Sequence, residues 1–193
     1  MTTNTAAPVG RILIKNVRIA FPNLFEPSTV AGEGEPRYGA AFILAADHPQ
    51  LKEIEAKIKA IAIDKWKDKG DAVLKGLEKT DKVALHDGDT KPGYDGFSGN
   101  MFISASAKTS ARPTVINKDK TPLTDRDGVV YAGCYVNASI DFWAQDNAYG
   151  KRINAQLRGV QFAKDGDAFS AGRPADADEF EDMSDGADAD DIA

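Results

Sequence analysis

The chain has 193 residues, an ordinary globular composition and a net charge of −6, which is enough length for one domain with a sizeable core. A single cysteine, Cys134, excludes an internal disulfide, no apolar run is long enough to span a bilayer, and MTTNTAAPVG lacks the basic-then-apolar order of a secretory signal. The charge is uneven: residues 174–193 hold nine of the 30 acidic residues and none of the 24 basic ones, so residues 1–173 carry a net of +3.

Residues 1–10 read as a disordered lead. Residues 11–21 (RILIKNVRIAF) predict a first strand, with Lys15 and Asn16 breaking its alternation at a bulge. Residues 22–36 are rich in proline and glycine near their ends and read as a loop. Residues 37–44 predict a second strand, with Tyr38, Ala40, Phe42 and Leu44 on one face.

Residues 47–69 predict a helix. Asp47 is placed to cap it, with Gln50 three residues on in a capping-box arrangement. Leu51, Ile54, Ile58 and Ile61 form an apolar stripe at helical spacing, which implies core packing. Residues 71–79 suit a short second helix, weakened by Gly76. Residues 87–99 are glycine-rich and acidic, a loop. Residues 101–108 alternate again as a third strand. A basic connector, residues 108–126, carries Lys108, Arg112, Lys118, Lys120 and Arg126 against Asp119 and Asp125, with a short strand near 113–117.

Residues 129–164 hold the longest period-two signal, two strands around a turn at 144–150. Cys134, Val136, Ala138, Ile140 and Phe142 share one face. Tyr135, Asn137, Ser139, Asp141 and Trp143 share the other. On the return strand Ile153, Ala155 and Leu157 alternate with Arg152, Asn154, Gln156 and Arg158. With the turn centred at Asn147 and Ala148, Trp143 faces Arg152 and Asn137 faces Arg158. The polar side then carries rings, guanidinium groups and a row of amides. It reads either as an ordinary solvated face or as a platform for an extended polar ligand.

The pattern of about five strands with a helix after the second predicts a mainly β protein: an OB-fold-like five-stranded antiparallel barrel over residues 11–173. A two-layer α+β sheet is the alternative. Support for catalysis is slight. His48 and His86 have no ligand-spaced partners, and the Asp-Gly clusters at 86–89, 125–128 and 165–167 fit turn chemistry better than metal binding. Asp141 stands without the carboxylate cluster that a metal nuclease needs. Cys134 falls on the apolar face, where a thiol is inert. No cofactor and no metal site are expected.

Residues 174–193 (PADADEFEDMSDGADADDIA) predict a disordered acidic tail. Phe180, Met183 and Ile192 stand among acids such as Asp190 and Asp191, a pattern for docking a basic partner with apolar pockets. A tethered polyanion also competes with nucleic acid for a basic cleft.

The opening strand through Ala20-Phe21-Pro22, residues 99–106 (GNMFISAS), Arg112-Pro113 with Val115, residues 131–137 (YAGCYVN) and residues 159–162 (GVQF) resemble a family of phage single-stranded DNA-binding proteins first described as a domain of unknown function. The resemblance spans most of residues 10–165. It implies an OB fold, a non-enzymatic role in phage DNA replication or recombination, action in the cytoplasm of the infected bacterial host, and no membrane partner. It also implies a tail that recruits replication or recombination proteins, although this tail ends Asp191-Ile192-Ala193 rather than in an aromatic residue. On that reading bases stack on Tyr135 and Trp143, with Tyr38 a further candidate. Phosphates meet Lys108, Arg112, Lys118, Lys120, Lys151, Arg152 and Arg158. The rivals are an RNA-binding OB module, an interaction protein whose tail mimics DNA, and a nuclease.

Overall fold

A computed structural model describes residues 9–30 and 32–169. The lead through residue 8 and the acidic tail, with Phe180, Met183, Asp190, Asp191 and Ile192, lie outside the described residues. In chain order the elements are β1 (Arg11–Val30), β2 (Glu33–Leu44), α1 (Leu51–Trp66), α2 (Gly70–Lys79), β3 (Leu85–Asp87), β4 (Met101–Lys108), β5 (Thr114–Ile116), β6 (Tyr135–Asn147) and β7 (Gly150–Lys164).

β1 does the work of two strands. Its first half pairs antiparallel with β6, from Arg11↔Asp141 to Arg18↔Tyr135. Its second half pairs antiparallel with β2, from Arg18↔Ile43 to Val30↔Glu33. Two bulges let it turn from one neighbour to the other. The first is the expected one: the register with β6 shifts between Ile14 and Val17, and Asn16 takes φ 57°. The second follows Ala20, where Phe21 takes φ 50°. β2 pairs with β4, β4 meets β7 in parallel at Ser106↔Gln156, and β7 pairs with β6. Five strands therefore close a barrel in the order β1-β2-β4-β7-β6. β3 and β5 are short additions on β4 and β7.

The barrel core follows from alternation. Ile12, Ile14, Phe42, Leu44, Ile103, Val136, Ile140, Ile153 and Leu157 are all buried in one cluster. Each such aliphatic or aromatic side chain contributes about 1.5–3 kcal/mol relative to exposure. The helices close one end of the barrel: Ile54, Ile58 and Ile61 of α1 and Leu74 and Leu77 of α2 join the same cluster. The predicted stripe is the one that is buried.

Three expectations need correction. The stretch 22–36 is not a loop, because β1 continues through it and returns as β2. Its prolines are accommodated by register shifts between Ala20 and Asn23, Asn23 and Ser28, and Ser28 and Val30, the places where a strand tolerates a missing N–H. The helix starts later than Asp47. Gln50 is its N-cap residue but makes no side-chain cap. The Gln50 amide instead accepts from Lys15 N (2.8 Å) and donates to Leu13 O (3.0 Å), stitching the β1 bulge to the helix start. The third correction is the hairpin register. Asn147 Oδ1 accepts from Tyr149 N at 2.9 Å, so the turn is Ala148–Tyr149. Trp143 consequently opposes Asn154, and Gln145 opposes Arg152. On the turn side of the bulge at Ser139 and Ile140 the shift is two residues along the partner, so those side chains keep their expected face. Beyond the bulge Asn137 opposes Gln161 rather than Arg158.

A second, smaller cluster lies outside the barrel. Ala20, Ala41 and Ile43 of the outer sheet face are covered by Phe97, Phe102 and Phe169. The loop after β3 makes this possible by folding tightly. A Cβ on Gly88 would sit 1.9 Å from Phe97 O, and one on Gly96 would sit 2.8 Å from the Phe169 ring.

Candidate nucleic-acid interface

Counting barrel strands only, β2 and β4 are the second and third. In an OB barrel the outer face of those strands, flanked by the hairpins joining strands 1–2 and 4–5, is where oligonucleotides bind. Here those hairpins are β1–β2 and β6–β7. An open groove of about 670 Å³ occupies this position, lined by Arg37 of β2, Ser104, Ser106 and Lys108 of β4, and Trp143, Gln145, Arg152, Asn154 and Gln156 of the late hairpin.

Alternation explains the lining. β4 turns Ile103, Ala105 and Ala107 into the core, so Ser104, Ser106 and Lys108 face outward. β2 turns Tyr38, Ala40 and Phe42 inward, so Arg37 and Gly39 face outward. The floor is therefore made of small residues, and the cations stand at its edge. Trp143 is 44% exposed at the hairpin wall. Arg37, Lys108 and Arg152 make no ion pair among the described residues, although Glu33 and Glu35 line the adjoining reach. Amides and hydroxyls from Gln145, Asn154, Gln156, Ser104 and Ser106 complete the wall. The arrangement offers a flat apolar ring, fixed positive charge and adaptable hydrogen bonding along one extended trough.

The predicted residues divide. Lys108, Trp143 and Arg152 come together in the groove. Arg112 is exposed beside it, one residue beyond the lining Ala111. Tyr38 is a correction: it is 8% exposed and its ring belongs to the barrel core, so no base can stack on it. Tyr135 lies at the other end of β6, with Lys164 4.5 Å and Arg18 5.7 Å from its ring centroid. Arg18 is itself held by Gly133 O (3.1 Å) and by Asp167 O, with its guanidinium 4.3 Å from the Phe169 ring centroid. That end of the hairpin is a structural clasp.

Arg158 sits at a bulge between Ser139↔Gly159 and Ile140↔Leu157. It shares Asp141 Oδ2 with Arg11, at 3.3 and 3.4 Å. Asp141 is thus a counter-ion for two guanidinium groups rather than a metal ligand. Lys151 pairs with Asp146 at 3.6 Å and lies 5.9 Å from the Trp66 ring centroid. Lys118 packs over Phe162 at 5.4 Å, and Lys120 is in the same turn after β5, on the far edge of β7. None of these four lines the groove.

Arg37, Ser104 and Ser106 escaped the sequence reading, whereas Gln156 stands on its expected polar face. Alternation along 37–44 and 101–108 signals which of them face outward, but only the β2–β4–β7 pairing puts them in one trough.

Among the described residues no group of three or more His, Cys, Asp or Glu is placed to hold a metal ion. His86 Nδ1 and Asp81 Oδ1 are 2.6 Å apart, and the ring stacks on Phe102 at 4.9 Å. Asp87 accepts from Asp89 N at 2.9 Å, the turn chemistry expected for that cluster. Thr124 and Asp127 cap each other in the same way, and the hydrogen bonds from Thr124 hold the Asp127 carboxyl below its ordinary value. Burial pushes the Cys134 thiol up, as befits an inert core thiol.

A five-stranded barrel closed in this order, with a cationic, ring-bearing trough across its second and third strands, defines an OB-fold protein. The family model described as "Enterobacter phage Enc34, ssDNA-binding protein" matches residues 10–192, and the chain belongs to that family. It is 45% identical over 177 residues to "Putative protein p50" of Acyrthosiphon pisum secondary endosymbiont phage 1, covering 90% of this chain and 94% of that one. It is similar to the single-stranded DNA-binding protein of bacteriophage Enc34 solved in complex with ssDNA, at 30% identity and a TM-score of 0.67, covering 82% of this chain and 89% of that one. Bacteriophage T7 gp2.5, a single-stranded DNA-binding protein, shares the fold at 12% identity and a TM-score of 0.56, covering 89% of this chain and 97% of that one. No described helix is long and apolar enough to cross a membrane.

Proposed function

We propose that the groove between the β1–β2 and β6–β7 hairpins binds unpaired DNA without regard to sequence, in phage DNA replication or recombination. The observation that carries this reading is the meeting of Arg37, Lys108, Arg152 and the exposed Trp143 around a floor of small polar residues. Each part has a task. A base lies flat on Trp143, and since every base has a π face the contact ignores identity and contributes roughly 1–3 kcal/mol. The three cations neutralise successive phosphates and release their counter-ions. The amides of Gln145, Asn154 and Gln156 bond to whatever edge is presented. A duplex hides its base faces, so it gains only the electrostatic part. The likeness to an Enc34 protein solved with ssDNA supports the same ligand.

The acidic segment 174–193 supplies two further roles on this reading. Its charge competes with DNA for the groove at an effective concentration of order millimolar. Phe180, Met183, Asp190, Asp191 and Ile192 dock replication or recombination proteins, and the protein works in the cytoplasm of the infected bacterium. The composition of the segment supports both, together with the phage origin of its relatives.

The test is binding of a labelled single-stranded oligonucleotide, with duplex and single-stranded RNA as competitors and salt varied. Tight binding to the single strand, weaker to duplex, and a Trp143→Ala loss of about 1–3 kcal/mol without unfolding are expected. Equal affinity for duplex, or an unchanged affinity in Trp143→Ala, would remove the groove as the binding site.

A further inference from the structure

The trough does not end at Arg37. Along β2 and β4 its floor passes Gly39 and Ser106 into a second reach of about 360 Å³, whose wall includes Asn23, Ser28 and Phe21. Phe21 also lines a third hollow of about 410 Å³, together with Tyr94, Phe97 and Phe169. One side chain is therefore the common wall of two consecutive hollows.

Phe21 is unusual in its backbone as well as its place. Its φ of 50° puts a bulky residue in the left-handed region, where such residues are outliers. Strain of that kind persists where the surroundings over-determine it, and it clusters at ligand sites. Here it aims a ring outward. Phe21 is 44% exposed and Tyr94 is 50% exposed. Their rings meet edge to face, with centroids 5.3 Å apart at 83°. Phe97 lies behind, 6.0 Å from Phe21 and 6.3 Å from Tyr94, and is buried. The ring–ring contact contributes to the fold, yet both rings stay open to water beside an apolar hollow, the kind of exposure found at binding sites. No lysine or arginine lines this hollow.

We infer that Phe21 and Tyr94 form a second stacking station, which takes an unpaired base of the same strand whose other nucleotides lie in the Trp143 groove. The inference rests on the reading proposed above. The occupant follows from continuity: the trough leads to Phe21, and the next thing to arrive along it is the next nucleotide. The station works by stacking without phosphate neutralisation, because it has rings and no cations. The strand is thereby gripped at two aromatic points, and the stretch between them carries Arg37, the hydroxyls of Ser28, Ser104 and Ser106, and the carboxylates of Glu33 and Glu35.

The test is a series of oligonucleotides from about 4 to about 16 nucleotides, the range that one OB fold covers. They are titrated onto the full chain and onto Tyr94→Ala, Tyr94→Phe, Phe21→Ala and Trp143→Ala. Tyr94→Ala is expected to leave the shortest oligonucleotide unaffected and to weaken the longer ones about tenfold, a stacking-sized loss. The slope of affinity against salt stays the same, and Tyr94→Phe recovers the loss. Phe21→Ala behaves alike, and if that variant does not fold, Tyr94→Ala decides. Wild-type affinity of Tyr94→Ala at every length, with Trp143→Ala weakened throughout, overturns the station and leaves the groove standing. Absence of oligonucleotide binding by the wild-type chain removes the groove and the station together.

Discussion

Arg37 and Lys108 lie directly opposite each other on β2 and β4, and neither has an ion-pair partner among the described residues. Like charges facing across an antiparallel pair oppose folding, by some fraction of the roughly 0.2–1 kcal/mol that such pairs carry. A sheet that keeps this arrangement at the end of its groove is poised to receive negative charge. Replacing either residue by glutamine is expected to leave the thermal midpoint unchanged or slightly higher, and to reduce the log-log salt slope of single-strand binding by about 0.7. An unchanged slope in both variants places the phosphates elsewhere.

Tyr135 shared a face with Trp143 in the alternation, yet its ring is clasped by Lys164 and Arg18 at the opposite end of β6. Cation–π contacts at such partly exposed places are worth about 0.5–1 kcal/mol each. Tyr135→Ala is therefore expected to lower stability by roughly 1–2 kcal/mol in chemical denaturation and to leave oligonucleotide affinity within twofold. A large affinity loss at unchanged stability would return Tyr135 to the site.

The Trp66 indole N–H donates to Asp146 Oδ2 at 2.7 Å. That bond, aided by Lys151, holds the Asp146 carboxyl below its ordinary 3.8. A carboxyl lowered in the folded state contributes stability that is present above its unfolded value and lost as pH falls through the folded one. With Trp143 replaced by phenylalanine, Trp66 emission should stay flat from neutral pH down through the ordinary carboxylate range and change only at lower pH. Asp146→Asn should abolish that acid step. A Trp66 transition centred above pH 4 contradicts the assignment.

Removing residues 174–193 takes away nine acidic residues and leaves a body of net +3. Single-strand binding should tighten, most at low salt, where screening is weakest. Weaker binding by the shortened chain would mean that the segment supports the contact instead of competing with it.

Alternation made the faces of β4, β6 and β7 legible, because period two does not depend on which residues pair. The misplaced turn shows why. Centring it at Asn147 and Ala148 put Trp143 opposite Arg152, whereas the bond from Tyr149 N to Asn147 moved the pairing by two, and an even shift preserves faces. The first hairpin was hidden because Pro22, Pro27 and Pro36 read as loop, and the bulges that absorb them leave no local signature. Arg37 could not be singled out, since its significance comes from Lys108 across the strand pair. Tyr38 alternates with Ala40, Phe42 and Leu44, and that period places its ring in the core, where it cannot stack on a base. Asp47 does not cap the helix because the Gln50 N–H goes to His48 Nδ1 at 3.2 Å, and the Gln50 amide is taken by Lys15 and Leu13 of β1, a contact between distant parts of the chain.

The central claim is that an unpaired base lies on Trp143. The chain has two tryptophans, so Trp66→Phe leaves Trp143 as sole reporter. Titrating that variant with a single-stranded oligonucleotide should quench Trp143 emission to saturation, in step with binding followed by anisotropy of the labelled strand. Duplex should quench it little at matched occupancy. Full binding by anisotropy with Trp143 emission unchanged would contradict the account.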